Sequence, residues 1–153
     1  YSIMIKLAKL TDYAVVTLSA MVERDGTLLS AVQLAEITTL PEPTVSKVLK
    51  MLAKGGVINS VRGAHGGYRL AEMPEDITIL DIIEAIEGPV ALTACIEGSH
   101  ENCAIVKMCG TKGRWDLVNT AVKTALENVT LRDMTSRSVT DIRTLQASSG
   151  GRA

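Results

Sequence analysis

The sequence contains no phenylalanine, and its other aromatics are one tryptophan and three tyrosines. A core must therefore be built from Leu, Ile, Val, Ala and Met, which the 46% hydrophobic content allows. No apolar run approaches the roughly 20 residues that a helix needs to cross a bilayer. The opening residues lack the charged, apolar, small-residue order of a secretion signal, so the expected compartment is the cytoplasm. Tyr1, Ser2 and Ile3 precede Met4, and residues 1–3 are expected to be an appended remnant. The length of 153 residues suits one domain, or one domain with an appendage, and no internal repeat is visible.

Net charge is also nearly absent, at −1, but the total conceals two unlike segments. Residues 41–70 carry Lys47, Lys50, Lys54, Arg62 and Arg69 against a single acid, Glu42. Residues 71–108 carry Glu72, Glu75, Asp76, Asp81, Glu84, Glu87, Glu97 and Glu101 against a single base, Lys107. A phosphate backbone meets local charge, not the sum over the chain.

Apolar periodicity predicts the elements. "LTDYAVVTLSAMVERDG" reads as a helix capped by Thr11 or Asp12, with Ala14, Leu18, Met21 and Val22 on one face and Gly26 as a stop. "SAVQLAEITTL" reads as a second helix, with Ser30 as cap and Val32, Leu34, Ala35 and Ile37 apolar. "PEPTVSKVLKMLAKGG" reads as a third: Pro41 and Pro43 suit its first turn, Val45, Val48, Leu49 and Leu52 form its buried stripe, and Gly55 and Gly56 stop it. "VINSV" and "GYRLAE" alternate apolar and polar residues around "RGAHG", the pattern of a hairpin. "ITILDIIEAIEG" gives a fourth helix with Ile79, Ile82, Ile83 and Ile86 inward.

The expected fold is mainly α with a small β-hairpin: a winged helix-turn-helix over residues 4–88 and a long C-terminal dimerisation helix. Residues 89–112 lack a period and hold every cysteine. The region 113–134 carries Trp115, Val118, Val122, Ala125 and Val129 at spacings of three, four, three and four, the seam of a short coiled coil. "LRDM" adds one more turn, and residues 135–153 read as a mobile tail. A winged helix usually reads two half-sites as a dimer, so a homodimer is expected.

The third helix leaves Thr44, Ser46, Lys47 and Lys50 on the face opposite its buried stripe, where hydroxyls and lysines suit phosphates and base edges in a major groove. At the hairpin bend, Arg62 is followed by Gly63, His65 and Gly66. Glycines allow close backbone approach, and an arginine held there suits a narrow minor groove. A phosphate-binding loop would lead into a helix; here the glycines lead into a strand pattern, so a nucleotide loop is rejected. No nucleophile elbow or metal-ligand helix motif supports an enzyme. Double-stranded DNA is the expected partner, with no membrane and no small-molecule substrate.

Cys95, Cys103 and Cys109 are separated by seven and five residues. An odd count cannot close into disulfides within one chain. Three thiols on one polar loop can converge on a metal or an iron–sulfur cluster. The fourth ligand is open at this point: His100 in the same segment, an oxygen ligand elsewhere, or a side chain of a second copy.

The stretches "KLTDYAVVTL", "PTVSKVLKMLAKGGVINSVRGAHGGYRLA" and "DIIEAIEGPVALTAC", with Cys109 six residues before Trp115, resemble the bacterial iron–sulfur winged-helix regulators of the IscR and NsrR type. Among these the chain looks most like regulators of the SUF cluster-assembly system. The likeness runs from about Met4 to Met134. It implies a homodimeric repressor of iron–sulfur assembly genes, operator binding through the helix near Pro43 and the wing at Arg62, and a cluster on Cys95, Cys103 and Cys109. The 2Fe–2S form is expected ahead of 4Fe–4S. A histidine three residues after the last cysteine is the fourth ligand in one branch, where this chain has Lys112. An aspartate in the first helix of the other subunit serves in another branch, and Asp12 occupies that place, so the resemblance favours Asp12 in trans, with His100 as the alternative. The first cysteine gap is longer than the five residues common in relatives. The competing reading is a thiol-redox or zinc-dependent winged-helix regulator without a cluster.

Overall fold

A computed structural model of the chain describes residues 7–92 and 114–136. Its elements run α1 (Lys9–Val22), α2 (Ala31–Thr38), α3 (Glu42–Lys54), β1 (Ile58–Val61), β2 (Gly67–Leu70), α4 (Ile79–Glu87), α5 (Trp115–Glu127) and α6 (Leu131–Thr135). The strands form one antiparallel hairpin, with Ile58 opposite Leu70 and Val61 opposite Gly67. This is the mainly helical, winged architecture expected from the sequence.

The core is aliphatic, as a chain without phenylalanine requires. Leu18 of α1, Leu34 of α2, the four stripe residues of α3 and Ile82 of α4 are all fully buried. Burying one such side chain contributes roughly 1.5–3 kcal/mol, so α3 is fixed in rotation chiefly by Val45, Val48, Leu49 and Leu52. Gly55 follows α3 where it crosses α4, and a Cβ there would stand 2.5 Å from Ala85 Cβ. Of the apolar positions expected on α2, Leu34 and Ala35 are buried, Ile37 is half-buried, and Val32 is exposed. Val32 lies one turn before Ala35, on the edge of a helix too short to bury more than one stripe.

Local capping explains several boundaries. Ser30 accepts from Gln33 N while the Gln33 side chain accepts from Ser30 N, a closed capping box at α2. Thr78 with Asp81 and Thr130 with Asp133 repeat the device at α4 and α6. The start of α1 corrects the sequence expectation. Neither Thr11 nor Asp12 caps it; the N-cap is Ala8, which offers no side-chain acceptor. Glu87, at the end of α4, replaces it: its carboxylate accepts from Ala8 N at 3.0 Å and from Thr11 Oγ1 at 2.8 Å. Thr11 is buried inside the helix.

The C-terminal region also differs from one continuous helix. α5 ends at Glu127, and "LRDM" belongs to α6, which starts afresh at the Thr130 cap. Ile79 N donates to Val129 O and Leu131 N donates to Ile77 O, so the turn between α5 and α6 is stitched to the start of α4. Leu131 is fully buried in the same core as α1 and α3. Thr135, expected in the tail, closes α6; residues 137–153 lie outside the described residues.

Candidate nucleic-acid interface

The burial of one face of α3 decides what the other face offers. Lys47 and Lys50 are exposed, with Thr44 and Ser46 half-buried beside them. Ser46 Oγ donates to Glu42 Oε1 at 2.8 Å. The one acid of this segment is thus held in the first turn, where its charge suits the helix dipole. Among the described residues, neither Lys47 nor Lys50 is in an ion pair.

The wing follows at once. Gly63 has φ of +119°, a conformation that disfavours any side chain, and Gly66 N closes the tip by donating to Gly63 O at 3.0 Å. Arg62 and His65 are exposed on this tip. The second strand of the wing is anchored outside the hairpin, one residue from the tip: Tyr68 N donates to Leu29 O at 2.8 Å, and Leu29 N donates to Tyr68 O at 3.0 Å. That extra rung needs Gly67, where a Cβ would come within 2.8 Å of the Leu29 oxygen. The segment before α2 therefore acts as a third strand position, which no local sequence pattern announces.

Of the expected cluster ligands, only Asp12 is among the described residues. It is exposed in the first turn of α1. It borders a groove of about 550 Å³ lined by Leu7, Val15, Ile79, Ile82, Ile83 and Met134. Cys95, Cys103, Cys109, His100 and Lys112 lie outside the described residues. Among the described residues no group of three His, Cys, Asp or Glu side chains is placed to hold a metal ion.

On α5, Trp115 and Val118 are 42% and 45% exposed, Ala125 is exposed and Val122 is half-buried; Val129, in the turn after α5, is 37% exposed. Sequence periodicity did not single out Leu117, which is 78% exposed, or the exposed Ala121 one turn later. It also missed Asn119, which is buried. An apolar-only count passes over a polar residue turned inward, and the signal that finds it is its hydrogen bonding.

A helix-turn-helix with an exposed basic face, followed by a glycine-tipped wing with an exposed arginine, defines a winged-helix DNA-binding protein. Comparison with known proteins agrees. A family described as "Rrf2: Iron-dependent Transcriptional regulator" matches residues 7–137. The regulator NsrR of Bacillus subtilis is 32% identical over 130 residues, covering 84% of this chain and 89% of the relative. The structure of CymR, the global cysteine regulator of B. subtilis, superposes with a TM-score of 0.63 at 27% identity, covering 88% of this chain and 98% of that one. The structure of T. potens IscR gives 0.57 at 26% identity, covering 97% and 94%.

The chain belongs to the Rrf2 family of winged-helix transcriptional regulators. It is a DNA-binding regulator and not an enzyme. No helix among the described residues is long and apolar enough to cross a membrane.

Proposed function

We propose that this protein is a cytoplasmic, homodimeric repressor of iron–sulfur cluster assembly genes, of the kind that regulates the SUF system, and that it senses a cluster held by Cys95, Cys103 and Cys109. Asp12 of a second copy completes the ligand set, with His100 as the alternative. The reading rests above all on the pairing of an exposed basic reader with three thiols in one chain, supported by the kinship to NsrR and IscR. Three thiolates form a soft donor set suited to iron–sulfur chemistry. The Asp12 carboxylate is exposed and makes no hydrogen bond among the described residues, so it is available as an oxygen donor. The cluster, when bound, supplies a centre that the cell's redox and iron state can alter.

The chain's own residues do the rest. Lys47 and Lys50 set the phosphate register of α3, Thr44 and Ser46 meet base edges, and Arg62, carried by Gly63, His65 and Gly66, enters the minor groove. Trp115, Val118, Val122 and Ala125 of α5, with Val129 just after it, meet the second copy, so that two readers address two half-sites.

The test is an ultraviolet–visible spectrum of anaerobically purified protein, with iron and sulfide assays, for wild type and Cys103→Ala. Visible charge-transfer bands lost in the variant are expected. A protein that stays colourless after anaerobic reconstitution would overturn the cluster reading and leave thiol-redox or zinc control of DNA binding in its place.

A further inference from the structure

Asn119 is withdrawn from solvent, at 6% exposed, on a helix whose other polar residues face water or pair at its edge. Its Nδ2 donates to Val90 O at 3.0 Å, and its Oδ1 accepts from Leu92 N at 3.2 Å. One side-chain amide thus plays the part of a strand neighbour to residues 90–92. Both its donor and its acceptor are used, which fixes the orientation of the amide. Leaving such buried groups unpaired costs about 1–3 kcal/mol, so the contact holds the backbone of residues 90–92 against α5.

The place of this contact gives it meaning. Leu92 lies three residues before Cys95, and Asn119 lies ten residues after Cys109. One side chain therefore joins the entry of the cysteine-bearing segment to the helix that follows it. Just upstream, Gly88 ends α4 with φ of +87°, a conformation that favours glycine. α5 in turn packs on α4, with Lys123 Nζ and Glu84 Oε1 3.7 Å apart at the exposed edge of the contact. Ala85, next to Glu84, is where α4 meets Gly55 at the end of α3.

We propose that Asn119 is a positioning residue that couples the cysteine segment to the DNA-reading body: it holds the segment's entry to α5, and α5 passes its position through α4 to α3. The proposal rests on the reading of the cysteines as a sensor. Without the latch, a change in the segment would be absorbed by backbone rotation between Gly88 and Leu92. With it, the change reaches a packed chain of helices, the kind of contiguous path along which coupling can travel.

The test uses the full chain as wild type, Asn119→Ala, the near-isosteric Asn119→Leu, and Thr124→Ala as an exposed control on the same helix. Operator affinity is measured for the anaerobically purified protein with its cluster and for the same protein after the iron is removed with a chelator. Amide hydrogen exchange is followed at residues 90–92 and in α3. Wild type and the control are expected to show at least about a 5-fold difference in affinity between the two forms, the low end of ordinary allosteric coupling. In both Asn119 variants that ratio is expected to fall below about 2-fold, with exchange at Leu92 accelerated and α3 still protected. A folded Asn119 variant that keeps the wild-type ratio overturns the proposal, as does a Leu92 amide that exchanges freely in wild type. Should Asn119→Ala fail to fold, Asn119→Leu decides. A wild type whose operator affinity does not change when the cluster is removed overturns the relay, whereas the cluster reading itself fails only if the protein stays colourless, so the two failures are told apart.

Discussion

Moving one methyl group between two helices gives a sharp test of how α3 is held. A Cβ on Gly55 would stand 2.5 Å from Ala85 Cβ and 3.0 Å from Ala85 Cα, whereas carbon atoms rest about 3.5–4.0 Å apart. Gly55→Ala must therefore push α3 and α4 apart by up to about an ångström, an overpacking that typically costs about 1–3 kcal/mol. Gly55 has φ of −78°, which alanine adopts freely, so a smaller unfolded chain entropy returns about 0.4–1 kcal/mol. The expected net loss is about 1–2 kcal/mol. Ala85→Gly alone removes a methyl from the interior of α4 and costs about 1 kcal/mol in helix propensity. If the two effects were independent, the double variant would lose about 2–3 kcal/mol. The contact predicts instead that Gly55→Ala with Ala85→Gly loses clearly less than that sum, because only the 3.0 Å approach to Ala85 Cα remains. Urea unfolding followed by circular dichroism at one fixed protein concentration measures all four proteins. Additive losses would refute the argument that this contact sets the distance between α3 and α4.

Further expectations follow from other residues. Leu131→Ala should cost about 2–5 kcal/mol in urea unfolding, because Leu131 is fully buried in the main core; a loss near zero would show α6 to be dispensable. Glu87→Ala should cost about 1 kcal/mol by removing the acceptor at the start of α1, and backbone amide exchange at Ala8 should accelerate. Arg62→Ala should weaken operator binding by about 1–3 kcal/mol, and Lys47→Ala should lower the salt dependence of binding by about one ion; anisotropy titrations over a salt series read both. The hydrogen bond from Arg132 holds the Glu75 carboxyl below its usual 4.5. The small stabilisation from this exposed pair is therefore present above that pH and fades as the pH falls through the lowered value, a dependence that Glu75→Gln should erase in acid titrations of stability.

How legible the molecule is from its sequence depends on the range of the interactions concerned. α3 could be read almost to the residue, because its stripe, its prolines and its closing glycines are local signals. Ser30 could be read as a cap for the same reason. The start of α1 could not, since the acceptor that closes it, Glu87, lies 79 residues from Ala8. The break between α5 and α6 was equally hidden: "LRDM" continues a helical pattern, and only pairing of Thr130 with Thr78 shows that the chain turns back to the core there. The basic reader was visible in residues 41–70 alone, whereas the rung from Leu29 to Tyr68 that steadies it appears only once the chain is folded. Asn119 was passed over because periodicity counts apolar residues, and its burial depends on a partner 29 residues away.

The rung between Leu29 and Tyr68 has a thermodynamic consequence for recognition. A wing fastened only at its own hairpin would have to become ordered each time DNA arrived, and fixing each residue's backbone costs about 1–2 kcal/mol. Fastened to Leu29, two residues before α2, the wing is ordered when the protein folds, before any DNA is met. Preorganisation of this kind lowers the entropic penalty of association. Its calorimetric mark would be a modest heat-capacity change on operator binding, without the large term that accompanies a segment folding onto its target.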